Sequence, residues 1–186
     1  MAEARVRRLL RTATAQAHAR LDALAGAMPL ETAEGYALFL RAHALSLPAL
    51  EACVWSGLAG LGFAPAAWLR SAALAADFAA LGLAQPAPLP APAIVGEAAL
   101  FGAAYVLEGS RLGAVVLLAG ALRGPSGGAA HQFLAHQGPP RAWALFLQRL
   151  EASAAAAEPE AAVHGAQCAF AHYTLGFERA AGLRTD

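Results

Sequence analysis

The chain is 186 residues long and 58% hydrophobic, and its 13 basic residues, all arginine, balance 13 acidic ones to a net charge of zero at pH 7. That length and apolar content suffice for one domain with a sizeable core. Zero net charge excludes the broad field that draws nucleic acid or an anionic membrane, so any anion site has to be local.

Helical periodicity dominates and no run of β-branched residues alternates, so the sequence predicts an all-α fold in a single domain over 1–186, with about six to eight helices. The first helix is expected over 3–25, with Leu9, Leu10, Ala13, Ala17, Leu21 and Leu24 turned inward. Met28-Pro29-Leu30-Glu31 breaks it, and Thr32 is suited to cap a second helix that runs to Cys53 and is closed by Gly57, Gly60 and Gly62. A third helix is expected from Pro65 to Leu81. The alternating prolines Pro86, Pro88, Pro90 and Pro92 then impose an extended surface connection. A fourth helix follows over 94–122, ended by the Gly124–Gly128 segment, and Gly138-Pro139-Pro140 separates a short helix from one that starts near Arg141. The last helix is expected over 160–181, with Ala169, Phe170, Tyr173 and Phe177 as its core stripe.

The fourth helix is apolar enough to suggest a membrane span, yet Glu108 and Arg111 sit near its middle, where each charge costs about 2.5–3.5 kcal/mol to insert. A buried helix of a water-soluble protein fits better. The same helix carries Gly102, Gly109, Gly113 and Gly120, spaced seven, four and seven apart, which places all four on one face. Glycine costs about 1 kcal/mol against alanine inside a helix, so the stripe needs a reason. It opens a flat trough, and spacing alone admits either a closely packed helix or a flat ligand.

His18 and Asp22 stand four apart on the first helix, so the carboxylate is placed to accept Nδ1–H and to leave Nε2 as a metal ligand. An exposed ion pair worth a few tenths of a kcal/mol is the plain alternative. His164, Cys168 and His172 offer donors for zinc or copper, but the outer pair is about 12 Å apart along a helix, too far to share one ion. They read as a polar helix face. His43, His131 and His136 read as solvated or structural. Arg5, Arg7, Arg8 and Arg11 read as a wet face, with Arg11 on the side of His18 and placed to meet an anionic group. Cys53 and Cys168 lack CxxC spacing, which excludes a disulfide framework and fits a reducing cytoplasm; the basic amino terminus lacks the apolar run of a secretory signal. The elbow of serine hydrolases, phosphate loops, paired catalytic carboxylates and dinucleotide fingerprints are missing, so hydrolase and kinase readings have no support.

Thr14-x-x-x-His18-x-x-x-Asp22, followed by Tyr105-Val-Leu-Glu-Gly-Ser-Arg-Leu-Gly-Ala114, resembles the bacterial biliverdin-producing heme oxygenases. The second motif is the more specific, and the likeness extends over nearly the whole chain, including Trp143-x-x-Phe146. The resemblance implies a single-domain helical bundle of the heme oxygenase type, with haem between the first (proximal) helix and a kinked, glycine-rich distal helix. It implies His18 as the iron ligand and Gly109, Ser110 and Gly113 as the catalytic residues. Around heme b, which is substrate and cofactor, it implies Arg11, Thr14, Asp22, Tyr105, Gly109, Ser110, Gly113 and Ala114. The implied reaction uses O₂ and electrons from an external ferredoxin or flavin reductase to yield biliverdin, CO and ferrous iron. Its implied downstream partner is a bilin acceptor such as a bacteriophytochrome, and the expected location is the cytoplasm. Three departures stand out. Ala114 replaces the second glycine of the pair, Arg111 is bulky and placed to pair with Glu108, and Ala144 stands where a basic residue often follows the tryptophan, leaving Arg141 and Arg149 as substitutes for propionate contacts. A haem carrier that does not turn over and a helical interaction module are the competing readings on the same scaffold.

Overall fold

A computed structural model describes residues 5–63, 65–124 and 130–183. Among them every regular element is helical, in the order α1 (Arg5–Ala13), α2 (Ala15–Gly26), α3 (Ala33–Leu58), a 3₁₀ turn (Ala59–Leu61), α4 (Pro65–Trp68), α5 (Ser71–Ala80), α6 (Glu97–Ala121), α7 (Gln132–Ala135), α8 (Ala142–Ala152), α9 (Ala154–Ala157) and α10 (Pro159–Ala180). The all-α expectation is met. α10 is the central helix and packs on α6, α3, α2 and α1. Its expected stripe of Ala169, Phe170, Tyr173 and Phe177 is buried, together with Leu40, Leu47 and Leu50 of α3 and Ala103 and Leu107 of α6.

The expected first helix is in fact two. Thr14 interrupts it at φ −107°, ψ 2°, and its hydroxyl donates back to the Leu10 carbonyl at 2.7 Å. Such back-bonding competes with the helical ladder and bends helices. Before the break α1 turns Val6 and Leu10 into the core, and Leu9, expected inside, is 40% exposed. The amino terminus of α1 is capped from a distance, because Glu151 accepts Val6 N–H at 3.1 Å and Arg7 N–H at 2.9 Å. Removing that carboxylate (Glu151→Ala) should cost about 1 kcal/mol and lower the melting temperature by about 2–4 °C, measurable by calorimetry.

Thr32 caps α3 as expected, its side chain accepting Gly35 N–H at 3.0 Å, but α3 runs past Cys53 to Leu58 and through Pro48. The expected third helix is also split, at Leu69–Arg70. The cause is a carboxylate from α3: Glu51 accepts Arg70 N–H at 2.8 Å and Ser71 N–H at 3.1 Å, capping α5 across the core. The proline connection is extended as expected, and Leu89 N–H pins it to the Leu45 carbonyl at 2.7 Å. The loop expected to end the glycine helix lies mainly in 125–129, outside the described residues. Residues 33–61 and α6 are long and apolar enough to cross a membrane, but 44% and 50% of their most apolar windows are buried, the pattern of core helices.

The glycine stripe has two kinds of occupant. A Cβ at Gly102 would lie 1.8 Å from the Ala162 carbonyl oxygen, and one at Gly165 would lie 1.9 Å from that of Ala99. Here α6 and α10 touch backbone to backbone, each giving a glycine to the other. At Gly109 and Gly113 a Cβ would meet nothing within 4 Å. The same face therefore passes from a helix contact to open space.

Candidate functional site

His18 sits in the first turn of α2, directly after the Thr14 break that starts this helix. Its Nδ1 lies 2.7 Å from Asp22 Oδ2, and both side chains are about two-thirds exposed, at 63% and 67%. The carboxylate accepts from Nδ1–H and so orients the ring, leaving Nε2 outside this contact. The imidazole meets Phe170 of α10 edge-on, with ring centroids 5.7 Å apart. α2 itself contributes no fully buried residue. It is held by the half-buried Ala17, Leu21, Leu24 and Ala25 and by an Arg20–Glu178 ion pair to α10.

α2 and α6 each pack on α10 and scarcely on each other. They approach at their carboxyl-terminal ends, where a Cβ at Gly120 would lie 3.9 Å from Leu30 Cβ and one at Gly124 would lie 2.6 Å from the Glu31 carbonyl oxygen. His18 lies about 12 Å back from the carboxyl-terminal end of α2, and Gly113 about 10 Å back along α6 from Gly120. The exposed imidazole and the open glycine backbone thus belong to two helices joined at one end. Arg11 lies in the last turn of α1 and is exposed. Tyr105 is half-buried, its ring 5.8 Å from that of Trp143, and Arg7 lies over the other partner's ring, 5.8 Å from the Trp143 centroid. Thr14 is buried with its hydroxyl given to Leu10, and Ala114 is packed in the core at 4% exposure. Arg149, one of the expected substitutes for a propionate contact, instead stacks over Phe63, 4.9 Å from the ring centroid.

Behind Gly109 lies a polar network that no motif announced. Arg70, only 2% exposed, donates from Nη2 to Ser110 Oγ at 2.8 Å and to the Leu107 carbonyl at 3.4 Å, while Ser110 Oγ donates to the same carbonyl at 2.8 Å. Glu51 supplies the counter-charge, with Oε1 3.7 Å from Arg70 Nε. Tyr173 lies in this field, and burial pushes its hydroxyl up to about 12. His43 is enclosed by Phe39, Phe133 and Phe177 at centroid distances of 4.3, 4.8 and 5.1 Å. It is structural, as the sequence suggested, but far from solvated: Nδ1 donates to the Phe39 carbonyl at 3.0 Å, and burial holds the imidazole down at about 3.

The expected Arg111–Glu108 pair forms inside the protein, Nε to Oε1 at 2.8 Å. Arg111 also donates to His136 Nδ1 at 2.9 Å and to the Trp68 carbonyl, tying α6 to the ends of α4 and α7. The polar face expected on the last helix is only half so. His164 Nε2 and Cys168 Sγ meet at 3.5 Å near the surface, whereas His172 is buried and donates from Nε2 to the Ser46 carbonyl at 3.0 Å.

No protein-family model matches the sequence. A protein of Xanthomonas campestris pv. campestris (strain 8004) named "Heme oxygenase" is 38% identical over 151 residues, which cover 76% of this chain and 87% of that relative. The chain belongs to the heme oxygenase family. Within this heme oxygenase-family chain, Glu51 and Arg70 are the residues that the sequence left unmarked, while His43 and Tyr173 were expected only as structural or core residues. Their positions follow no short spacing, because α3, the α4–α5 junction and α10 bring them to α6 from distant parts of the chain. The one sequence signal for Arg70 was its place in an otherwise apolar segment, Ala67-Trp68-Leu69-Arg70-Ser71-Ala72.

Proposed function

We propose that this protein binds haem between α2 and α6 and opens it at a meso carbon to biliverdin, CO and ferrous iron, as a cytoplasmic monooxygenase. The observation that carries this reading is the change along the glycine stripe: Gly102 is filled by α10, while Gly109 and Gly113 face open space. A helix that used glycine only for packing would be covered at all of them. The available donors suit the group. His18 presents Nε2 under the control of Asp22, and a backbone without Cβ atoms accepts a flat ring at close range.

Bound haem supplies the iron that carries O₂ and the ring that is oxidised. In this reading Asp22 keeps Nδ1 protonated and so raises the basicity of Nε2, while Phe170 stops the imidazole from swinging. Gly109 and Gly113, with no Cβ and open space before them, would let main chain approach a flat ring closely. Ser110 holds its proton toward the Leu107 carbonyl and accepts from Arg70, so the nearby donors are a hydroxyl and a guanidinium. His43 remains neutral at physiological pH. Among the described residues the donors behind Gly109 are thus this hydroxyl and guanidinium, which would leave a bound haem without a strong proton donor on that side. Arg11 and Tyr105 are assigned to the propionates. The protein holds no flavin or iron–sulfur motif, so a ferredoxin or flavin reductase is the assigned electron source, and a bilin-binding protein is the assigned acceptor.

Hemin titration with His18→Ala beside the wild type tests the assignment. The wild type should give a Soret band that decays into the broad red absorption of biliverdin when ascorbate or a ferredoxin system and O₂ are supplied. His18→Ala should lose the histidine-dependent band, and Asp22→Ala should bind hemin about 10–100-fold more weakly. A stable band without decay would establish the carrier reading. Equal spectra for wild type and His18→Ala would overturn His18 as the ligand.

A further inference from the structure

We propose that a groove between α1 and α10 binds an anionic amphiphile: an extended apolar body that carries a carboxylate. The groove encloses about 760 Å³, within the range of small-molecule sites. Its apolar wall is formed by Leu9 and Ala13 of α1 and by Pro159 and Val163 of α10. Leu9 is 40% exposed in a helix whose other large apolar residues, Val6 and Leu10, are buried. One apolar side chain of α1 is thus spent on the groove.

The rim decides the sign of the ligand. Arg5 and Arg8 line the groove one helical turn apart, and neither makes an ion pair or hydrogen bond among the described residues. Among the described lining residues Glu160 of α10 is the one carboxylate, and Thr12, His164 and Gln167 are the other polar groups. Two guanidinium groups above a hydrocarbon wall recognise a carboxylate head by paired N–H donors and leave the wall for its tail. A cationic head would meet the same two charges and be repelled.

Gln167 also lines a second groove of about 650 Å³ between α2 and α10, whose lining includes Phe170. Two sources share this ligand chemistry, a linear tetrapyrrole with propionates and a long-chain fatty acid. The tetrapyrrole arm rests on the proposed function; the fatty-acid arm does not.

Calorimetric titration of the full-length protein, before and after loading with hemin, separates the cases. Laurate, biliverdin and dodecyltrimethylammonium are the probes, and Arg5→Glu/Arg8→Glu is the variant, since both side chains are exposed and their replacement leaves the core untouched. Laurate or biliverdin should bind the wild type with an affinity unchanged by hemin, the double variant should bind at least tenfold more weakly, and the cationic amphiphile should not bind. Binding by biliverdin alone assigns the tetrapyrrole source, and binding by laurate identifies a fatty-acid site. The proposal is overturned if neither anion binds, if the double variant binds like the wild type, if the cationic chain binds equally, or if hemin displaces the ligand. Failure of the haem reading would appear separately, as a missing Soret band, and would leave the laurate titration intact.

Discussion

Gly102→Ala should destabilise the protein by about 3 kcal/mol or more, whereas Gly109→Ala and Gly113→Ala should each stabilise the haem-free protein by about 0.5–1 kcal/mol. All three lie on one face of α6. At Gly102 the added methyl would overlap the Ala162 carbonyl oxygen, which belongs to the backbone of α10 and cannot rotate away. The two helices would have to separate, and with them the reciprocal contact of Gly165 with Ala99. At Gly109 and Gly113 the methyl enters open space, so only the gain in helix propensity is felt. Urea unfolding of the three variants without haem checks the signs. A hemin titration of the same variants then tests the trough, because the two stabilised proteins should bind hemin more weakly than the wild type. Unchanged hemin affinity in both would remove α6 from the binding site.

Acidification from pH 7 to pH 5 should cost the protein about 2 kcal/mol through His43 alone. Its imidazole is held down at about 3 by burial among Phe39, Phe133 and Phe177. The folded state therefore binds the proton less readily than the unfolded chain, whose histidine titrates near 6.5. The stability associated with this group is complete above pH 6.5 and is lost progressively as pH falls toward 3. Over that whole window the loss amounts to about 3–5 kcal/mol, a large share of the 5–15 kcal/mol typical of a domain. His172 and His136 are also lowered by burial and act with the same sign. Glu108 and Asp77 are raised, chiefly by burial, and act with the opposite sign. The difference between the wild type and His43→Gln isolates the term: the variant should lose much of the slope of unfolding free energy between pH 7 and 5, whatever its stability at pH 7. Parallel slopes would mean that His43 reaches water in the native state.

Much of the helical layout was legible because its signals are local. Thr32 caps α3 through an oxygen three residues from its partner, and the Phe170, Tyr173 and Phe177 stripe follows helical periodicity. The two unexpected helix breaks have different origins. Thr14 bends the chain through its own hydroxyl, a local competition whose outcome propensity does not reveal. The Leu69–Arg70 break depends on Glu51, a carboxylate nineteen residues earlier that reaches across from α3.

The candidate site divides along the same line. The sequence by itself determined the all-α class, the pairing of His18 with Asp22 four residues on, and the alignment of four glycines on one face, since each follows from the period of a single helix. Only the tertiary structure decided which glycine is filled and which is open, because the occupant is the backbone of α10, some sixty residues away. It alone assembled Glu51, Arg70, Ser110 and Tyr173, and it alone turned His43 from an isolated histidine into a buried, neutral one. Burial and charge pairing are set by neighbours in space, and the spacing of residues along one helix carries no record of which other helix will lie against it.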